Sequence, residues 1–249
     1  MESSSDELDS SRTEPCPPTY PSSANISFRF GTRTIQANGT TFDHYHPNVL
    51  RLRIHHSSFD RFIKSLFSFI SSAIGTWIQG RFPEWFLPEK IVLKIEKDNW
   101  EDEFNQEVVA YDKLRSIQGI VIPKFYGMVN YNDRRALVLS DLGGHPLATP
   151  EGAVLNKTDL EPLLYQALTS LTELGGYHDD TKLDNFLLVT GEKDKIMIVD
   201  LESAGFELSE ERLAFIARSR IAWLIQQYED HLECMEYDGV LLPQRPVRA

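Results

Sequence analysis

The amino-acid sequence predicts an α+β protein with a strand-rich N-terminal part and a shorter, mainly helical C-terminal part. Three observations predict this class. Short alternating apolar runs separated by turn residues fill much of the chain up to residue 139. Apolar residues three and four positions apart mark several helices, two of them after that point. With 41% hydrophobic residues, a chain of 249 residues also has enough apolar material for a real core.

The chain divides into three segments by composition and pattern. Residues 1–24 are rich in serine, proline and acidic residues, and we expect a disordered tail there because such a segment buries little apolar surface. Residues 25–139 form the strand-rich part, which includes an added amphipathic helix at 59–79. Residues 140–249 form the helical part, which is slightly shorter than the strand-rich part.

The first strands are predicted from alternation. Runs at 26–30 and 33–36 flank Gly31 and indicate a hairpin, and residues 49–54 indicate a third strand. Residues 91–95 form another β-rich run.

The apolar segment at 59–79 has the spacing of one helix face, from Phe59 through Trp77 to Ile78. Its uncharged part, residues 65–79, contains four serines and is shorter than the roughly 20 apolar residues of a membrane span. We therefore expect a helix packed on the core. Attachment of this helix to a membrane surface is the alternative.

The remaining elements follow in order. Residues 100–117 predict a helix with Phe104, Val108, Tyr111 and Leu114 on one face. A strand at 125–129, a turn at Asn132-Asp133 and a strand at 136–139 come next. A helix at 159–174, two short apolar strands (FLLV and IMIV) joined by GEKD, and a last helix at 209–231 complete the chain.

Charge and cysteine content exclude several functions and set expectations for others. The net charge of −12 argues against nucleic-acid partners and against an anionic membrane as the main partner. Cys16 and Cys234 are too few and too far apart for a disulfide framework or a metal knuckle. Because no secretory leader is evident, we expect an intracellular, cytoplasmic monomer.

The residues that carry chemistry concentrate in HDDTKLDN, which runs from His178 to Asn185. It matches the form H-x-D-x-K-x-x-N, which is typical of a catalytic loop for phosphoryl transfer. IMIVD then places Asp200 at the end of an apolar strand, and IVLK places Lys94 in an earlier strand. Taken alone, Lys94 and Glu107 are better explained as ordinary solvated charges, because most such charges are exposed, but the order of the whole set favours a site.

This order resembles the protein-kinase fold over residues 88–204. The blocks FLPEKIVLK, SDLGG, HDDTKLDNF and VDLES look most similar to a family of small fungal protein-kinase-like proteins. The resemblance implies a two-lobed fold with a reduced C-terminal lobe, and ATP and Mg²⁺ as cofactors.

The resemblance also implies a role for each matched residue. Asp180 would orient or deprotonate the acceptor hydroxyl, and Lys182 would stabilise the moving phosphoryl group. Lys94, paired with Glu107, would hold the nucleotide phosphates. Asn185 and Asp200 would bind Mg²⁺ and His178 would be structural. Ser140, Asp141 and Leu142 would offer backbone groups to adenine.

The sequence departs from the kinase pattern in four places. No G-x-G-x-x-G loop precedes Lys94, so a phosphate cradle would have to come from the region of Gly31 in a non-standard way. Asp200-Leu201-Glu202 stands where the family has D-F-G. Asp179 replaces the arginine that docks a phosphorylated loop, which predicts no switch of that kind. No A-P-E block follows Asp200.

Two functions from different classes remain open. The first is a Mg-ATP-dependent phosphotransferase acting on a hydroxyl of a protein Ser/Thr or of a small molecule. The second is a pseudokinase, a binding or scaffold module that transfers nothing and engages an unknown protein partner. The complete set of catalytic residues favours the first, and the missing glycine-rich loop favours the second.

Overall fold

The computed structural model describes residues 24–41, 46–58, 60, 63, 65 and 72–248, with side chains of 72–76 excepted. Of the predicted tail only Ala24 is described, and it begins the first strand. Residues 59, 61, 62, 64 and 66–71 of the predicted helix at 59–79 likewise lie outside the described residues, as does Cys16.

Six antiparallel strands close a barrel in the order β1-β2-β3-β4-β6-β5. The strands are β1 (Ala24–Phe30), β2 (Arg33–Thr41), β3 (Val49–Ile54), β4 (Lys90–Ile95), β5 (Phe125–Tyr131) and β6 (Arg134–Ser140). The predicted runs all lie within these strands. Closure depends on one residue pair, Arg29 with Asn130, and sequence alternation did not predict it.

The β1–β2 turn is fixed by a buried glutamate. Gly31 has a positive φ of 56°, which favours glycine. A Cβ there would lie 2.6 Å from the Glu84 carboxyl group, and Glu84 Oε1 accepts a hydrogen bond from the Thr32 N–H at 3.2 Å. This turn is therefore tied to the short 3-10 turn Pro83–Trp85.

Four helices have both ends among the described residues, namely α1 (Ser72–Arg81), α2 (Glu101–Lys113), α3 (Lys157–Thr172) and α4 (Glu210–Tyr237). Helix α3 begins at Asn156, whose side chain accepts a hydrogen bond from the Asp159 N–H. Helix α4 extends beyond the predicted 209–231. The prediction for Trp77 was wrong, because this residue of α1 is 67% exposed instead of facing the core.

The helical part also contains short strands. Strands β7 (His145–Pro146), β9 (Phe186–Val189) and β10 (Lys195–Ile198) form a sheet in the order β10-β9-β7. Strands β8 (Tyr177–His178) and β11 (Ala204–Gly205) form an antiparallel pair. That pair brackets the segments that carry the candidate catalytic residues.

The buried apolar residues form two clusters. One fills the barrel, and the larger one is formed by α2, α3, α4 and the short strands. On α2, Phe104, Tyr111 and Leu114 are buried in the larger cluster, and Val108 packs against it. The predicted apolar face of α2 is thus confirmed. Among the described helices, none has the length and apolar character needed to cross a membrane.

Candidate active site

Lys94 joins three segments of the chain. It lies in β4 and is only 7% exposed. Its amine donates to Glu107 Oε2 of α2 at 2.6 Å and to Asp200 Oδ1, after β10, at 2.6 Å. The structure therefore brings together three residues that the sequence placed at one site.

A third carboxylate, that of Glu202, also contacts this amine. Glu202 Oε1 lies 3.0 Å from Lys94 Nζ, and Glu202 Oε2 lies 3.3 Å from Lys97 Nζ. Carboxylate oxygens of Glu107, Asp200 and Glu202 lie within 4.8 Å of one another. Sequence reasoning noted only that Glu202 is not glycine and missed its contact with Lys94.

The electrostatics of the cluster follow from burial and proximity. Burial alone would lower the pKa of Lys94, but the charges of Glu107, Asp200 and Glu202 outweigh it and raise that pKa. Burial alone would raise the pKa of Asp200, yet the Lys94 ammonium holds it below its ordinary value. Lys94 is therefore charged at neutral pH, and so is Asp200.

The predicted catalytic segment surrounds Asp180 with donors. Lys182 Nζ lies 2.9 Å from Asp180 Oδ2, and the Asn185 amide donates to Asp180 O at 2.8 Å and Oδ2 at 3.1 Å. Asn185 belongs to a 3-10 turn, Leu183–Asn185, that leads into β9. Because its amide nitrogen makes both bonds, the amide oxygen of Asn185 is left for another ligand.

His178 ties this segment to the strand end that carries Asp200. It is 1% exposed, and its Nε2 lies 3.0 Å from the carbonyl oxygen of Asp200. A carbonyl only accepts, so this nitrogen carries the hydrogen. The Val199 N–H also donates to Asn185 O at 2.9 Å. Asn185 and the segment before Asp200 are thereby held side by side.

A cleft of about 950 Å³, partly open to solvent, lies beside some of these groups, but Asp180, Lys182 and His178 are not among its lining residues. Lys94, Glu107, Asn185 and Asp200 line it, together with Ser140, Asp141 and Leu142. The N–H of Ser140 already donates to the Lys124 carbonyl at 2.9 Å. Of the three predicted adenine contacts, Ser140 therefore has no N–H to offer.

One wall of the cleft is formed by residues 46–48 and β3, rather than by the turn at Gly31. His46, Asn48, Val49 and Arg51 line it. The side-chain amide of Asn48 donates to the Ile95 carbonyl at 3.0 Å, and the Ile95 N–H donates to the Asn48 carbonyl at 2.8 Å. Val49 is the strand partner of Lys94. Arg51 Nε lies 3.4 Å from Asp141 Oδ1. No glycine pattern marks these residues, so the sequence did not indicate this wall.

Two buried polar atoms at the cleft have no hydrogen-bond partner among the described residues, Tyr111 OH and Glu107 Oε1. Tyr111 lines the cleft one helical turn after Glu107 and stacks on Phe125. Burial, with the Glu107 charge nearby, raises the pKa of Tyr111 well above its ordinary value. Buried groups without partners are uncommon, and they mark a place where water or a ligand atom can bind.

The comparisons with known proteins found likeness at the level of structure. No protein-family model matches the chain, and no curated protein matches it either. The chain is similar to a solved structure described as the crystal structure of Rad53 kinase domain and SCD2, with 16% sequence identity and a TM-score of 0.44. The match covers 61% of this chain and 64%, less than two thirds, of that one.

Proposed function

We propose that the chain has a protein-kinase-like fold and is a Mg-ATP-dependent phosphotransferase. The observation that carries this proposal is the position of Lys94, whose amine lies 2.6 Å from both Glu107 and Asp200 in a cleft that also contains Asn185. A buried lysine oriented by two carboxylates is suited to hold nucleotide phosphates.

The transfer itself is a substitution at the γ-phosphorus. The acceptor oxygen forms a bond to phosphorus while its proton passes to Asp180, the bond to the bridging oxygen breaks, and ADP leaves. Asp180 is two-thirds buried, and Asn185 and Lys182 hold its carboxylate. Lys182 is 67% exposed and contacts Asp180, and it would neutralise charge on the moving phosphoryl group.

The oxygen donors at the cleft fit Mg²⁺. The amide oxygen of Asn185 and the carboxylate of Asp200 are hard ligands, and both residues line the cleft. Bound there, the ion would neutralise phosphate charge, and the residues of this chain would position the phosphates and the acceptor.

The acceptor is a hydroxyl, either of a protein Ser/Thr or of a small molecule. The segment after Asp200 is short, because β11 begins at Ala204 and α4 at Glu210. A large peptide-docking region of the kinase type therefore has little chain from which to form.

The decisive experiment measures transfer of labelled γ-phosphate from ATP to a panel of proteins and small alcohols, with ATP hydrolysis followed in parallel. We expect activity in the wild type and its loss in Asp180→Asn, which keeps the shape of the side chain. Asp133→Asn, in the exposed β5–β6 turn, is the control. Equal activity of wild type and Asp180→Asn would overturn the mechanism.

A pseudokinase is the second candidate, and Glu202 is the observation that favours it. With three carboxylates around Lys94, the cluster is negative and opposes nucleotide phosphates unless a cation is present. The chain would then act as a binding module for a protein partner.

Thermal unfolding separates the two candidates. A ligand that binds the folded state raises its melting temperature by mass action. A rise with millimolar Mg-ATP supports the phosphotransferase, and no rise favours the binding module.

A further inference from the structure

The two residues on either side of Asp180 are held by one arginine from the last helix. Arg220 Nη2 donates to Asp179 Oδ1 at 2.6 Å, and Arg220 Nη1 lies 3.4 Å from Thr181 Oγ1. The guanidinium therefore spans Asp180 without touching it. No local pattern predicts this contact, because Arg220 and Asp179 are 41 residues apart in the chain.

A second side chain of α4 contacts the same segment. Gln227 Nε2 donates to the backbone oxygen of Thr181 at 3.2 Å. Thr181 is only 6% exposed, so its position depends on these contacts. Helix α4 is itself anchored in the larger core through Ile221, Leu224 and Ile225. Arg220 and Gln227 are about two helical turns apart, so α4 contacts the catalytic segment at two separate points.

The opposite side of the segment is held by Ser203. Its hydroxyl accepts from the Asp180 N–H at 3.2 Å, and its carbonyl accepts from the Asp179 N–H at 3.3 Å. Asp180 is consequently clamped between the segment that follows Asp200 and helix α4. Of these two supports, only α4 contributes a charged group.

From this geometry we propose that Arg220 is a positioning residue for the phosphoryl transfer, acting on Asp180 through Asp179 and Thr181. This inference rests on the proposed function. The charge partner of Arg220 is Asp179, which belongs to the catalytic segment itself. The ion pair that orients the segment therefore forms within the folded chain and needs no phosphate group. The catalytic segment is therefore held ready in the unmodified protein.

The experiment compares Arg220→Ala with Arg218→Ala, an exposed arginine on the same helix. Hydrogen exchange of residues 179–185 and the kinetics of phosphate transfer are both measured. We expect about tenfold faster exchange in this segment for Arg220→Ala. We also expect a fall in kcat of about tenfold to a hundredfold, because small displacements of a catalytic group are costly. KM for ATP and the melting temperature should stay near the wild-type values.

A charge exchange tests whether the pair itself is responsible. Asp179→Arg should lower kcat, and adding Arg220→Asp should restore most of it. Arg220→Lys, which offers one donor group in place of the guanidinium fork, should fall between the wild type and Arg220→Ala. A purely structural role would move the melting temperature with kcat, and this outcome would overturn the proposal.

The outcomes distinguish this inference from the proposed function. If wild type transfers phosphate and Arg220→Ala matches Arg218→Ala in both readouts, the inference fails alone. If wild type transfers nothing under any condition, the proposed function fails. Faster exchange in Arg220→Ala would then still support the clamp, and unchanged exchange would overturn it.

Discussion

His178 is an ionisable residue that the fold keeps uncharged. It is 1% exposed, stands beside the carbonyl of Asp200 and tilts against the ring of Phe186. Burial lowers the pKa of His178 below its ordinary value of 6.5, and hydrogen bonds to Asp200 and Val199 offset this only in part. Its protonation therefore opposes folding.

We expect stability to fall on acidification because of this histidine. The unfolded chain binds the proton near pH 6.5, whereas the folded chain binds it only at lower pH. The contribution of neutral His178 to the free energy of unfolding is thus fully present above pH 6.5. It declines as the pH falls toward the pKa of His178 in the folded chain, by at most about 1.4 kcal/mol per pH unit. Urea unfolding of wild type and His178→Gln between pH 7.5 and 5.5 measures it. Parallel curves for the two proteins would contradict the assignment.

Glu202 adds a third carboxylate around Lys94. Removing one negative charge a few ångströms from a bound phosphate is worth about 1–3 kcal/mol at an effective dielectric of about 20. We expect Glu202→Gln to bind ATP about tenfold more tightly than wild type when Mg²⁺ is absent. With Mg²⁺ present, the difference should shrink. Titration with a fluorescent ATP analogue tests this, and equal Mg²⁺-free affinities would count against it.

At the scale of elements, the Lys94–Glu107 pair connects the barrel to the larger core. Lys94 belongs to β4, and Glu107 belongs to α2, where it is fully buried. Breaking one side of a buried ion pair leaves an uncompensated charge and costs about 3–5 kcal/mol. The pair therefore has a structural as well as a chemical consequence.

We expect Lys94→Met to lower the free energy of unfolding by about 3 kcal/mol, and Lys94→Met with Glu107→Leu to recover most of it. Urea unfolding at neutral pH measures both variants. Additive losses in the double variant would show that the pair is not coupled. The result also bears on the proposed function, because any loss of transfer in a Lys94 variant would then reflect lost stability as well as lost phosphate contact.

Element positions were predictable where local spacing decides them. Helices α2 and α3 and the strands of the barrel follow the periods of 3.6 and 2 that the sequence displays. Contacts between distant positions were not predictable in this way. Glu202 reaches Lys97 across 105 residues, and Arg220 reaches Asp179 across 41 residues. Neither contact produces a local pattern in the sequence.

At the scale of the whole molecule, four of the predicted site residues lie at one cleft although they are far apart in the sequence. Lys94, Glu107, Asn185 and Asp200 all line it. The wall of the cleft formed by residues 46–48 and β3 was less predictable, since no glycine pattern marks this part of the sequence. That these residues lie at the cleft follows from the strand register, which places Val49 opposite Lys94.

The C-terminal segment stabilises the fold from outside the site. Arg245 forms a bidentate ion pair with Asp194, with distances of 2.6 Å and 3.0 Å, and the Asp194 side chain is fully buried. The Arg248 N–H also donates to Asp194 Oδ2 at 2.8 Å. The Arg245 N–H donates to the Val154 carbonyl at 2.8 Å. The chain end thereby closes over the start of β10 and the segment before α3.

We expect Arg245→Ala to destabilise the protein by about 3 kcal/mol, because it leaves the Asp194 carboxylate buried without its main partner. Arg248→Ala is the matched control, since Arg248 contacts Asp194 through its backbone N–H. That variant should change the free energy of unfolding by less than about 1 kcal/mol. Urea unfolding at pH 7 compares the two. Because Asp194 is absent from the cleft lining, the rise in melting temperature that the proposed function predicts with Mg-ATP should persist in Arg245→Ala. Loss of that rise in a variant that still unfolds cooperatively would show that the chain end is coupled to the cleft.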